Sequence, residues 1–163
     1  MNAREYNQAV DQYADGIYRF LLKHTRNESS AQDIVQETFM KVWDKHRDID
    51  AEKIKSYLFT TAYHTMINWI KTEKRIVDTD VSNLNIVSTQ EISSEFDLGA
   101  ILEWALDKLP EIQKSVVLLR DYEGYSYKEI ADITTLNESQ VKVYIFRARK
   151  ALKEILNKQE LVA

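Results

Sequence analysis

Two tetrads near the carboxyl end constrain the fold more than any other feature: Ser126-Tyr127-Lys128-Glu129 and Asn137-Glu138-Ser139-Gln140. Each sets a short polar side chain, able to accept from the free N–H groups of a first helical turn, three residues ahead of a Glu or Gln that can reach back. They therefore predict helix starts at Tyr127 and Glu138. A short helix over Tyr127–Thr134, a tight turn of about four residues and a longer second helix form a helix-turn-helix. With only three glycines and one proline in 163 residues, against 44% hydrophobic and 29% charged, the rest of the chain is poor in turns and reads as helical too.

The length admits one ordinary domain or two small ones. Residues 76 to 96 contain no lysine or arginine, no sustained helical period, and many Ser, Thr, Asn and Asp residues, so they read as an acidic, polar linker. The expected fold is all-α: a helical bundle over 1–75, the linker 76–96, and a second helical domain over 97–163. In the first domain a helix over Ala3–Thr25 places Val10, Tyr13, Ile17, Phe20 and Leu21 inward. A second follows Ser30 as cap, with Ile34, Val35, Phe39 and Val42 inward. A third runs from Ile54 to Lys74 with Leu58, Ala62, Met66 and Trp69 near one face. After the linker, Asp97 can cap a helix reaching Leu109, Pro110 suits the first turn of the next, and Gly124 ends it.

The absence of cysteine removes thiol chemistry, and no apolar run has the form of a leader or a membrane span, so the cytoplasm is the expected compartment. Its three histidines, His24, His46 and His64, are too scattered to suggest a metal site. There is no phosphate-binding glycine loop, nucleophile motif or suggestive carboxylate pair, so no enzymatic activity, cofactor or small-molecule substrate is expected. The net charge of −4 excludes a protein held to nucleic acid by its overall field. Positive charge is instead focused: between Glu138 and Lys153 stand Lys142, Arg147, Arg149, Lys150 and Lys153 against a single acid.

At 100° per residue, Val141, Ile145, Ala148 and Leu152 of that last helix face the core, beside Ile130 and Ala131. Ser139, Val143, Phe146 and Lys150 lie opposite, flanked by Lys142 and Arg147. A basic solvated face is the competing meaning of such a pattern. The capped short helix ahead of it favours insertion into a major groove, with the first turns at base edges and the cations at phosphates or guanine. Arg149 lies toward the core flank, where a carboxylate of the same chain can partner it.

The segment Leu109–Leu156 resembles the C-terminal domain of extracytoplasmic-function sigma factors. It carries the family's leucine-proline opening, its LR..EG.SY.EIA core from Leu119 to Ala131, and its VK....RAR..L ending from Val141 to Leu152. The resemblance implies that Ser139, Gln140, Lys142, Val143, Phe146 and Arg147 read a minus-35 promoter element, and Lys150 shares their face. Other regulators end in similar domains, but the first half is more particular. DIVQETFMKVW, Asp33 to Trp43, resembles the sigma segment that binds the polymerase clamp helices; Asp33, Gln36, Glu37 and Met40 share one helical face turned away from Val35, Phe39 and Val42. Tyr57–Arg75 resembles the minus-10 recognition helix, with Ala62 kept, Asn68 at the second polar position, and His64 where the family usually has asparagine.

His64, Asn68, Lys71 and Arg75 follow one another along one stripe, in which amide and imidazole can meet base edges while the cations meet phosphates. The resemblance also suggests the loop from His46 to Lys55, with Tyr57 and His64, as the place where a base is held out of the stack, although Tyr57 and Trp69 also fit as core aromatics. The partners it implies are core RNA polymerase, promoter DNA and an anti-sigma factor, often membrane-bound. The alternative is a free-standing helix-turn-helix regulator.

Overall fold

The computed structural model describes residues 1–79 and 98–160, and these are all-α, in two helical domains. The first holds α1 (Ala3–Thr25), α2 (Glu28–Lys45) and α3 (Ile54–Thr79), with short 3₁₀ turns at His46–Asp48 and Ala51–Lys53 between the last two. The second holds α4 (Leu98–Asp107), α5 (Glu111–Val117) prolonged by a π turn over Leu118–Tyr122, α6 (Tyr127–Thr134) and α7 (Glu138–Glu160). Helix α3 continues four residues into the segment expected as a linker; the remainder of that segment and the Asp97 cap lie outside the described residues. Among the described residues no helix is long and apolar enough to cross a membrane.

Local chemistry explains most boundaries. α1 begins with a capping box between Asn2 and Glu5 and ends at Arg26, which takes a left-handed conformation. That ending leaves Asn27, not Ser30, to open α2: the Asn27 side-chain oxygen accepts the Ser30 N–H at 2.9 Å, so the helix starts earlier than expected. At the other end of the molecule both tetrads act as caps. The Ser126 hydroxyl and Glu129 carboxylate exchange bonds with each other's N–H groups at 3.1 Å, and Asn137 and Gln140 do the same at 2.8 and 3.0 Å. Helices α6 and α7 start at Tyr127 and Glu138 as expected, though the turn between them is three residues, Thr135 to Asn137.

Pro110 sits just ahead of α5, at its cap. Gly124, at φ +76°, closes the π turn, and the Tyr125 N–H bonds back to the Leu119 carbonyl at 3.0 Å. No atom outside its immediate neighbours lies within 4 Å of where a Gly124 side chain would begin, so only the backbone conformation demands glycine here. Gly124→Ala is accordingly expected to lower stability by about 1–2 kcal/mol, seen as a lower urea midpoint with an unchanged slope.

The core holds Ile17, Phe20 and Leu21 of α1, Ile34, Phe39 and Val42 of α2, and Leu58, Ala62 and Met66 of α3, all buried; full burial of each large side chain contributes about 2 kcal/mol. Val10, Tyr13, Val35 and Trp69 are half-buried, nearer the edge of the core than their period suggested. In the second domain Val141, Ile145 and Ala148 pack with Ile130 and Ala131, while Leu152 is half-buried.

The two domains meet along a seam. Phe59 of α3 packs edge-on against Tyr125, ring centres 5.1 Å apart, and α3 lies along α6. Lys23 lies over the Tyr122 ring and Lys55 over the Tyr125 ring, and polar contacts join them. Arg26 reaches Glu103 at 2.9 Å and Asp107 at 2.7 Å, Arg19 reaches Glu123 at 3.4 Å, and the buried Lys114, paired within its own domain with Asp107 at 2.8 Å, donates across the seam to the Lys23 carbonyl. The His24 side chain, with no exposure at all, is hydrogen-bonded to Glu111.

Candidate nucleic-acid interface

Helix α7 presents the expected face. Ser139, Gln140, Lys142, Val143, Phe146, Arg147 and Lys150 are all exposed, opposite the buried Val141, Ile145 and Ala148. Phe146 at 68% exposure is the outlier for an aromatic side chain, and Val143 stands beside it at 44%. An aromatic and a β-branched side chain left in water among cations suit apolar contact with a base, such as a thymine methyl, more than they suit a merely solvated helix. Gln140 is partly committed: its side-chain oxygen accepts the Asn137 N–H, which leaves its NH₂ group to reach a base edge. Arg149 grips Asp121 through two bonds, at 2.6 and 3.1 Å, so this cation braces α7 against the π turn and stands apart from the candidate face.

The α3 stripe is also exposed at His64, Asn68, Lys71 and Arg75. Tyr57, His64 and Asn68 line a cleft of about 740 Å³ between α3 and α6, with the hydroxyls of Ser56, Thr60 and Thr61 beside them. The opposite wall carries Glu129 and Asp132, and the Thr135 hydroxyl lies 3.3 Å from His64 Nε2. Tyr57 is half-buried, which reconciles its two readings: part of the ring packs and part faces the cleft. Lys71 and Arg75, expected to serve the same site, are not among the residues lining the cleft. At 1.5 Å per residue they lie roughly 10 and 16 Å beyond His64 along the helix.

The cations that do line the cleft are Lys41, from α2, and Lys53, just ahead of α3; sequence periodicity missed both. Lys41 is four residues after Glu37 and pairs with it at 3.0 Å, a spacing that was available as a signal.

On α2, Asp33, Gln36, Glu37 and Met40 are exposed together, Met40 at 68%. The stripe continues into Trp43, which is 42% exposed, stacked on His46 at 4.0 Å and flanked by Tyr6 at 4.9 Å. The Tyr6 hydroxyl is anchored on the Phe39 carbonyl at 2.9 Å. Trp43 stands three residues after Met40, so the same spacing that grouped the other four extends to it. The result is an acidic and amide-bearing stripe ending in an apolar pad, suited to a partner helix with cations along one side.

Comparison with known proteins connects these faces. The family model described as Sigma-70 region 2 matches residues 9–76, and that described as Sigma-70, region 4 matches residues 100–152. The chain is 30% identical over 154 residues to RNA polymerase sigma factor YlaC of Bacillus subtilis, covering 90% of this chain and 89% of that protein. It is 28% identical over 155 residues to the ECF RNA polymerase sigma factor SigM of the same organism, covering 93% and 95%. Among solved structures, the sigma factor RpoE of Bartonella quintana, determined in complex with the anti-sigma factor NepR, superposes with a TM-score of 0.79 at 23% identity, covering 95% of this chain and 98% of that one. The likeness runs through both halves in one order, so the chain belongs to the sigma-70 family, among the small sigma factors of the extracytoplasmic-function type.

Proposed function

We propose that this alternative sigma factor divides its work among three separate faces. The α2 stripe of Asp33, Gln36, Glu37, Met40 and Trp43 binds core RNA polymerase. The α3 cleft and stripe, with Tyr57, His64, Asn68, Lys71 and Arg75, takes the minus-10 element. The exposed face of α7, with Ser139, Gln140, Lys142, Val143, Phe146, Arg147 and Lys150, takes the minus-35 element. On this reading residues 1–75 and 97–163 act as separate units joined by 76–96, and the protein works in the cytoplasm, where its polymerase is.

The observation that carries the assignment is the exposure of Phe146 and Val143 amid cations on a helix whose other side is core. A free-standing regulator would share the α7 face but would have no use for the α2 stripe. A protein regulator of the anti-sigma kind, as seen with RpoE and NepR, is proposed here as well.

Paired substitutions separate the faces. Arg147→Ala is expected to reduce initiation at a minus-35-dependent promoter by about 10- to 100-fold, the 1–3 kcal/mol of one good base contact, while core affinity stays within twofold. Glu37→Ala is expected to weaken core binding by about tenfold and to leave minus-35 preference unchanged. Core affinity is read by fluorescence anisotropy and initiation by run-off transcription. If Arg147→Ala transcribes normally, the α7 assignment is wrong; if wild-type protein neither binds core nor initiates from its own genome, the sigma assignment is wrong.

A further inference from the structure

We propose that Lys41, together with Lys53, holds the backbone phosphates of the opened minus-10 strand; the proposal rests on the reading of the α3 cleft given above. A single strand entering that cleft brings one negative charge per nucleotide into a space whose aromatic and hydrogen-bonding groups, Tyr57, His64 and Asn68, are suited to bases. The phosphates need cations of their own at the same depth, and those expected on α3 lie two to three turns further along. Lys41 and Lys53 are the lysines that line the cleft.

Lys41 is placed for this by its surroundings. It donates to the Thr65 hydroxyl at 3.1 Å, and Thr65 is itself only 5% exposed, so a buried group on α3 fixes where an α2 side chain ends. Its other contact, Glu37 at 3.0 Å, is an exposed ion pair of the kind that contributes little to stability. Glu37 also belongs to the polymerase-facing stripe. A polymerase group that takes Glu37 therefore removes the competing anion from Lys41 while Thr65 still holds it at the cleft, which makes this lysine the joint between polymerase docking and strand capture. Lys53 lines the same cleft from just ahead of α3, next to Glu52 in sequence; the other acids there, Glu129 and Asp132, belong to α6 across the seam.

The test uses holoenzyme and a promoter that wild-type holoenzyme selects from a library of its own genome. The probe is the non-template strand spanning the minus-10 region of that promoter, titrated at several salt concentrations. Lys41→Ala is expected to weaken strand binding three- to tenfold and to reduce the slope of log affinity against log salt by about 0.7, the amount for one phosphate contact on a single strand. Lys41→Gln, which keeps a donor for Thr65 without the charge, loses the same slope; Lys41→Arg recovers it. Core affinity is not lost in any of the three.

An unchanged slope in both neutral variants overturns the proposal. So does a loss of core affinity in Lys41→Ala with strand binding intact, which would assign Lys41 to the polymerase face. Absence of core binding by the wild type would instead overturn the reading on which it rests.

Discussion

In a complex with core polymerase and promoter DNA, the two halves of this chain are expected to stand tens of ångströms further apart than in the free protein. The two elements named for positions −35 and −10 are centred about 25 base pairs apart, roughly 85 Å at 3.4 Å per pair. A compact chain of this length has a radius of gyration of about 15 Å. With α3 lying along α6, the cleft and the α7 face cannot reach both elements at once. The acids of α6, Glu129 and Asp132, moreover form the wall opposite His64 and Asn68, where the proposed assignment brings a phosphate backbone.

The seam mixes weak and firm ties. The Arg26 ion pairs are exposed enough to be worth roughly 0–1 kcal/mol each, whereas the Phe59–Tyr125 contact, the bond of the buried His24 to Glu111 and the Lys114 bond to the Lys23 carbonyl lie largely out of water. Docking of the open form on polymerase has to exceed their sum. The eighteen residues between Thr79 and Leu98 can cover up to about 60 Å by covalent length.

Because the chain has no cysteine, Gln12→Cys and Glu154→Cys, both at exposed positions, accept a dye pair without background. Energy transfer is expected to be efficient in the free protein and nearly lost in the initiation complex, and Arg26→Glu should lower it in the free protein. High transfer in a complex that is transcribing would sink the expectation.

The seam is also where reading the sequence ran out. The α6 and α7 boundaries were legible because a capping box is local: its donor and acceptor are three residues apart. The core faces of α1 to α3 were legible because burial repeats with the helical period. At the start of α2 the cap is Asn27 and not the expected Ser30, and that outcome depended on how the previous helix ended, at a left-handed Arg26 that no residue type announces. Arg149 had a visible need for an acid, and Asp121 supplies it.

Helical periodicity did not reach the cleft cations, although Lys53 lies in the loop from His46 to Lys55 that the family resemblance singled out. A stripe on one helix points along that helix, so it nominated Lys71 and Arg75, whereas the cleft is completed by Lys41 from the neighbouring helix. His24 and Glu111 are 87 residues apart, and nothing in either one's local sequence marks it as the other's partner.

Mild acid is expected to weaken this protein through that pair, before general acid unfolding begins. Burial pushes His24 below its ordinary value, against the pull of Glu111, so the folded chain resists protonating a ring whose Nδ1 is hydrogen-bonded to the Glu111 carboxylate. Burial alone would raise the Glu111 carboxyl, but the His24 hydrogen bond and the nearby Lys114 outweigh it and hold Glu111 below the usual range. Phe20, Ser115 and, further off, Asp107 complete the surroundings of the imidazole.

The unfolded chain protonates His24 near pH 6.5 and the folded chain refuses, so below that pH the unfolded state binds more protons and stability falls with acid. The depressed Glu111 acts in the same direction, but only below about pH 4.5, where its unfolded form takes a proton. Between pH 6.5 and 5 the His24 contribution therefore stands alone. One proton sets the ceiling on that dependence, about 1.4 kcal/mol per pH unit.

His24→Gln keeps a donor for Glu111 without the titration. Urea midpoints measured from pH 7.5 to 5 should fall in the wild type and stay nearly level in His24→Gln, with the dye pair showing that the wild-type seam loosens over the same interval. If the wild-type midpoint is level, or the variant falls just as steeply, His24 is not the group that makes the closed form sensitive to acid.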